Sequence, residues 1–201
     1  HWTCVARPSN ILLAGTPEQR EKYLFPCIRG EKSDCLAMTE PGAGSDLRGM
    51  KATAVQDGDD WVLNGTKHFI SHADIADFAI VFMASGEEES SRGKRKKITA
   101  FFVDKGTKGF AVRDGYRNVS HRGYTNAILE FDDCRLPASQ VLGEVHKGFE
   151  VANSWLGATR LQVGATCLGR AERALGHAIE YSAQRQQFGQ QIGKFQGVSF
   201  K

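Results

Sequence analysis

The residues best equipped for chemistry are gathered in Met38-Thr39-Glu40-Pro41-Gly42-Ala43-Gly44-Ser45-Asp46, with Gly49 closing the run. Glycines permit positive φ and let backbone N–H groups approach a ligand closely. Thr39 and Ser45 each add a hydroxyl that donates or accepts. Successive amides in such a turn also form an anion-binding hollow. The short apolar run from Cys35 to Met38 leads into it. A loop of this kind at a strand end suits a flat polar cofactor or a phosphate, although ordinary glycine-rich turns share the composition. Gly42, Gly44 and Gly49 give G-x-G-x-x-x-x-G rather than G-x-G-x-x-G, and no Gly-Lys-Ser/Thr follows. A dinucleotide fingerprint and a P-loop are both excluded.

Other candidates are more dispersed. Phe69 and Ser71 sit in Lys67-His68-Phe69-Ile70-Ser71 and offer an aromatic face and a hydroxyl, or simply a core aromatic. His68 and His72 stand four apart, but no Glu lies beside His68 and the local pattern is not helical, so no metal site is read there. Arg160 interrupts an apolar helical stripe and needs either an ion-pair partner or a cavity. Arg185 can grip a pyrophosphate with its planar fork of donors, or it serves as a helix C-terminal cation. Five cysteines are scattered with no C-x-x-C pair, which fits a reducing compartment and small buried side chains.

The elements that must position these residues show three regimes. Residues 1–33 read as helical. Thr16-Pro17-Glu18-Gln19 is a helix start with a capping box, and Pro26 should end or bend the helix. Over residues 34–138 the period is two. Lys51–Gln56 and Trp61–Leu63 form a hairpin across Asp57-Gly58-Asp59-Asp60. Further short strands are expected at Asp77–Ala84, Ile98–Val103, Phe110–Arg113 and Ala127–Phe131. Glu87 to Lys97 reads as an exposed hairpin tip whose opposite charges face each other; it lacks the interleaved aromatics of a nucleic-acid site. Over residues 139–201 the period is helical again, with Val151, Trp155, Leu156, Val163, Cys167, Ala171, Leu175 and Ile179 forming one stripe that ends at Gly189. A second helix begins near Phe195-Gln196. The fold class is therefore α+β: a helical segment, a small β-barrel or sandwich, and an incomplete helical bundle. The formal charge of +3 does not argue for nucleic acid, and no apolar run approaches the roughly 20 residues of a membrane span.

The string MTEPGAGSD, with Asn64-Gly65-x-Lys67 and Arg185-x-x-Phe188-Gly189 at the right distances, closely resembles the acyl-CoA dehydrogenase family of flavoenzymes. The resemblance implies FAD as cofactor and α,β-dehydrogenation of an acyl-CoA, the chemistry of fatty acid β-oxidation. It implies an electron-transfer flavoprotein as electron acceptor and a homodimer or homotetramer in the cytoplasm or the mitochondrial matrix. By the same resemblance Thr39, with Leu36, Met38 and Gly44, contacts the flavin, and Ser45 lies by the FAD pyrophosphate and the CoA arm. Phe69 and Ser71 pack on the ring, where the family usually has Trp and then Thr or Ser. Arg160 lies near the reaction centre, and His121 is a weaker candidate for holding the adenosine end of CoA. Arg185, Phe188 and Gln196 reach a neighbouring subunit's FAD. A minority branch carries its catalytic Glu where this chain has Thr159; the majority branch carries it further along, so the general base is expected beyond Lys201 and the stretch is read as an internal piece, inactive alone. A flavin oxidase or monooxygenase of the same fold, or a non-catalytic binding module, are the alternatives.

Overall fold

Thr16 caps the first helical stretch: its hydroxyl accepts the Gln19 N–H at 3.2 Å, and the Gln19 side-chain oxygen accepts the Thr16 N–H at 3.0 Å. The computed structural model describes residues 9–90, 93–119, 122–123 and 125–201, so Cys4 and His121 lie outside the described residues. Helix α1 (Pro17–Gln19) widens into a π-turn, Arg20–Leu24, and continues as α2 (Phe25–Ile28). The helix thus runs through Pro26 rather than ending there. The Phe25 N–H bonds to the Arg20 carbonyl five residues back, and this wider turn makes room for a ring that lacks an N–H.

Eight strands follow: β1 (Asp34–Ala37), β2 (Thr53–Asp57), β3 (Asp60–Ser71), β4 (Phe78–Ser90), β5 (Gly93–Asp104), β6 (Phe110–Tyr116), β7 (Asn126–Pro137) and β8 (Val141–Leu142). They form one curled sheet in the order β6-β7-β3-β2-β4-β5-β8, with β1 lying parallel on β4. The mixed helix and curled-sheet architecture is the α+β class expected. The β2–β3 hairpin pairs Asp57 with Asp60 across Gly58-Asp59, as its sequence implies.

Several strands outrun the sequence expectation. β3 continues from Leu63 to Ser71 because Gly65, at φ 133°, absorbs a bulge. A Cβ there would sit 2.5 Å from the Ala52 Cβ, so glycine is required. β4 and β5 extend into a ribbon in which Glu87, Glu88 and Glu89 oppose Lys96, Arg95 and Lys94. The facing charges are as expected, but they decorate regular strands rather than a tip. The Arg95–Glu88 and Lys94–Glu87 pairs, at 3.4 and 3.6 Å, are solvent-exposed and contribute little.

β4 is apolar on both sides because both sides are covered. Ala79, Val81 and Met83 join Trp61, Leu63, Phe101, Val103 and Leu129 in one core. Phe78, Ile80 and Phe82 join a second core with Ile11, Leu12, Tyr23, Leu24 and Cys27 from the helical stretch. Tyr23 stacks on Phe102 at 4.1 Å and directs its hydroxyl to Gln140 at 2.8 Å.

The loop entering the long helix is held by a closed hydroxyl chain. Ser85 Oγ lies 2.6 Å from Thr99 Oγ1 and 2.8 Å from His146 Nδ1, and the His146 N–H donates to Thr99 Oγ1 at 2.8 Å. Desolvation, reinforced by Lys97 and opposed by Glu88, pushes the His146 pKa below its ordinary value. A histidine harder to protonate when folded binds its proton preferentially in the unfolded chain. Stability is therefore expected to fall as pH drops below the ordinary histidine value of 6.5. His146→Asn, which tolerates the left-handed backbone at φ 67°, should flatten this part of the pH profile in urea unfolding. An equally steep profile in the variant would show that other groups are responsible.

Two units are distinguishable, residues 1–155 and 156–201, and α3 (Gly148–Gln184) runs from the first into the second. In the second unit Val163, Leu175 and Ile179 of the expected apolar stripe are exposed, as is Cys167, which was expected to be buried; Leu161 and Leu168, outside the stripe, are exposed too. Gly189 does not end this helix. α3 stops at Gln184, and Phe188-Gly189, both left-handed at φ 52° and 76°, turn between β9 (Gln186–Gln187) and β10 (Gln190–Gln191). Positive φ at both corners is what a two-residue hairpin with the native strand twist requires. α4 (Gln196–Ser199) follows. Among the described residues no helix is long and apolar enough to cross a membrane.

Candidate functional site

The glycine-rich loop leaves β1 through Met38 and Thr39 and is folded onto itself and onto β3. Glu40 and Ala43 exchange backbone hydrogen bonds at 2.9 and 3.2 Å, closing the Pro41-Gly42 turn. The Glu40 carboxylate is buried and accepts from the Lys67 ammonium at 2.7 Å, the Lys51 N–H at 2.6 Å and the Ala52 N–H at 3.1 Å. Lys67 is 0% exposed, and its Nζ also donates to the Met38 carbonyl at 3.2 Å. Burial pushes the Lys67 pKa below its ordinary value, and the hydrogen bond and charge of Glu40 oppose that lowering.

This staple sets Thr39 beside the second bulge of β3. The Thr39 carbonyl accepts the His68 N–H at 2.9 Å. No described residue engages the Thr39 N–H or hydroxyl, and the residue is half-buried. One position along, Phe69 sits in left-handed backbone at φ 56° and is 49% exposed. Such a conformation costs on the order of 1–3 kcal/mol and persists where the surroundings impose it. Here the register shift between Lys67 and Ile70 imposes it. Phe69 packs on Tyr116 at 4.1 Å, and the Tyr116 hydroxyl meets His68 Nδ1 at 3.2 Å. Beyond the bulge, Asn126 donates to Ser71 Oγ at 2.9 Å, and Asn118 in turn donates to Asn126. The result is a surface shelf with an aromatic face, two unengaged donors at Thr39 and the Ser71 hydroxyl.

The remaining sequence candidates are placed as follows. Leu36 is half-buried on β1, and Met38 is buried in the second core. Gly44 and Ser45 are exposed at the far end of the loop. Arg160, Arg185, Phe188 and Gln196 belong to the second unit and are exposed there, Phe188 at 93%, with its ring 6.2 Å from Phe195. A cavity of about 570 Å³ in the first unit is lined by Thr16, Gln19, Trp61, Ser139, Val141 and Val145 among others, and by none of the site candidates. Burial pushes the Cys27 and Cys35 thiols up to about 12 and Cys134 up to about 11, which makes them inert as nucleophiles at neutral pH.

Comparison with known proteins bears directly on this arrangement. Residues 35–134 match the acyl-CoA dehydrogenase middle domain, and residues 146–201 match the acyl-CoA dehydrogenase C-terminal domain. The chain belongs to the acyl-CoA dehydrogenase family. It is 40% identical over 190 residues to the caffeyl-CoA reductase-Etf complex subunit CarC of Acetobacterium woodii, covering 94% of this chain and 49% of the relative. The short-chain specific acyl-CoA dehydrogenase of Megasphaera elsdenii is also 40% identical over 190 residues, covering 93% of this chain and 48% of that protein. The structure of butyryl-CoA dehydrogenase from the same organism superposes with a TM-score of 0.82 at 38% identity, covering 99% of this chain and 52% of that one. The chain spans about half the length of the curated relatives it matches.

For a member of the acyl-CoA dehydrogenase family, sequence reading passed over three residues that shape the shelf. Lys67 falls in phase with the buried Trp61 and Leu63, and a lysine on the inward register demands a counter-charge, so this signal was available. Tyr116 and Asn126 gave no such signal: they reach the shelf only through the pairing of β6, β7 and β3.

Proposed function

We propose that the protein is an FAD-dependent acyl-CoA dehydrogenase that desaturates an acyl-CoA thioester between Cα and Cβ and passes the electrons to an electron-transfer flavoprotein. The observation that supports this reading most is the pair of unengaged Thr39 donors beside the outward-held Phe69 ring. A flat ring with a polar edge fits that shelf: Phe69 covers a face, and the Thr39 N–H and hydroxyl donate to the edge, with Ser71 within the same patch. FAD bound there supplies the acceptor for the hydride leaving Cβ. Fixed donors at the ring edge favour whichever form carries more negative charge, so Thr39 works on the chemistry as well as on binding.

Leu36 and Met38 shape the strand end behind Thr39, and Gly44 and Ser45 are assigned to the pyrophosphate and the CoA arm. Arg160 is assigned a place near the acyl group. Arg185, Phe188 and Gln196 are assigned to the FAD of a neighbouring protomer in a homodimer or homotetramer, which would link cofactor affinity to association. Glu40, the buried carboxylate among the described residues, is not the base that takes the α-proton, because three donors already hold it. That base is assigned outside residues 1–201.

In protein that carries that base, adding an acyl-CoA to the FAD-loaded form without an electron acceptor should bleach the visible flavin absorbance. Thr39→Ala should weaken FAD binding about tenfold, the equivalent of about 1.4 kcal/mol for lost hydrogen bonds. No bleaching with short, medium, long or branched acyl chains would overturn the reading. The 40% identity to a protein named as a caffeyl-CoA reductase subunit favours a second reading, the same site run towards saturation. Faster turnover of an enoyl-CoA with reduced electron donor than of the acyl-CoA would support it. Peroxide release without any acceptor would instead point to an oxidase.

A further inference from the structure

We propose that Lys67 is a positioning residue for the redox ring: acting through the Met38 carbonyl, its buried ammonium makes the Thr39 N–H a stronger donor and favours the electron-rich form of the ring. The inference rests on the reading of Thr39 as an FAD contact. The Met38 carbonyl and the Thr39 N–H are two ends of one peptide group. Lys67 Nζ donates to that carbonyl at 3.2 Å, while no described residue takes the N–H at the other end. A cation at the oxygen draws electron density through the peptide, and hydrogen bonds in series strengthen one another. Complete burial of Lys67 leaves this effect unscreened by salt. The Glu40 carboxylate divides its charge among Lys67, Lys51 and Ala52, so the charge in direct contact with the peptide is the ammonium.

A pair that merely stapled the loop would be replaceable by neutral side chains without affecting the ring. The two roles separate in the midpoint potential of bound FAD, measured by spectroelectrochemical titration of the purified holoprotein. Lys67→Met should shift the ratio of reduced to oxidised FAD affinity about tenfold against the reduced form, which is about 30 mV more negative for a two-electron couple. Glu40→Gln, which leaves the cation and removes its counter-charge, should move the potential in the positive direction. Shifts of the same sign in both variants would mean simple loosening of the loop and would overturn the proposal. If Lys67→Met does not fold, the paired Glu40→Gln/Lys67→Met variant buries no unpaired charge and decides the matter. A potential below the wild type supports the proposal, and one at or above the wild type overturns it. A wild type that takes up no FAD sinks the reading of Thr39 and this inference with it. Where the wild type does hold FAD, an unmoved potential in Lys67→Met sinks the inference alone.

Discussion

Lys67→Met with Glu40 intact is expected to lower the unfolding free energy by about 3–5 kcal/mol, because it leaves a buried carboxylate without its cation. The magnitude follows from the asymmetry of buried ion pairs. Bringing two charges out of water and together is close to neutral, whereas removing one strands the other in a low dielectric. Glu40 keeps the Lys51 and Ala52 amides as donors at 2.6 and 3.1 Å, which softens the loss without replacing the charge. The paired Glu40→Gln/Lys67→Met variant should recover half or more of the loss, since the glutamine oxygen can still accept those amides. Urea unfolding of the four proteins in a double-mutant cycle gives the coupling directly. A double variant that loses the sum of the two single losses would mean that the pair is not coupled.

The second large effect is expected at Phe101. This side chain is 0% exposed, meets Trp61 edge-on at 5.4 Å, and fills the centre of the core that the curled sheet wraps around. Phe101→Ala removes most of an aromatic side chain from a place where the surrounding strands cannot collapse, for an expected loss of about 3–5 kcal/mol. Val55→Ala is the control: Val55 lies on β2 but is 62% exposed, and its loss should stay within about 0.5 kcal/mol. Comparable losses at the two positions would mean that the core does not lie where the sheet's curl puts it.

The two residues also show how far the chain can be read without coordinates. Phe101 lies in an apolar run whose neighbours Phe102 and Val103 are equally buried, and that run marks a strand covered on both sides. Lys67 stands out in sequence as part of Asn64-Gly65-x-Lys67, but nothing local says what it meets. Only the alternation from Trp61 through Leu63 places it inward, and the bulge at Gly65 between them obscures the count. Pro26 misleads in the other direction. Its local chemistry argues for a break, but a π-turn accommodates it while Tyr23, Leu24 and Cys27 are buried against β4 and β5. Gly189 misleads similarly, because a helix-ending glycine and the second corner of a tight hairpin place the same demand on φ. Charged strand ends such as Glu87–Ser90 and Gly93–Lys97 were underestimated in length because charged strands do not carry the apolar alternation by which strands are recognised.

The order of residues alone determined the family motifs, the helical period of α3, the capping box at Thr16 and the hairpin at Gly58-Asp59, though not the helical switch expected after Pro137, where β8 still pairs with β5. Each depends on side chains a few positions apart, and local chemistry is written in local sequence. What tertiary structure decided is which distant groups share a surface. Lys67 comes to Glu40 and Met38, Tyr116 to Phe69, and Asn126 to Ser71 because a curled sheet brings β1, β3, β6 and β7 together. Those meetings depend on register and on two bulges, and a single-residue slip in either would turn the same side chains to the opposite face.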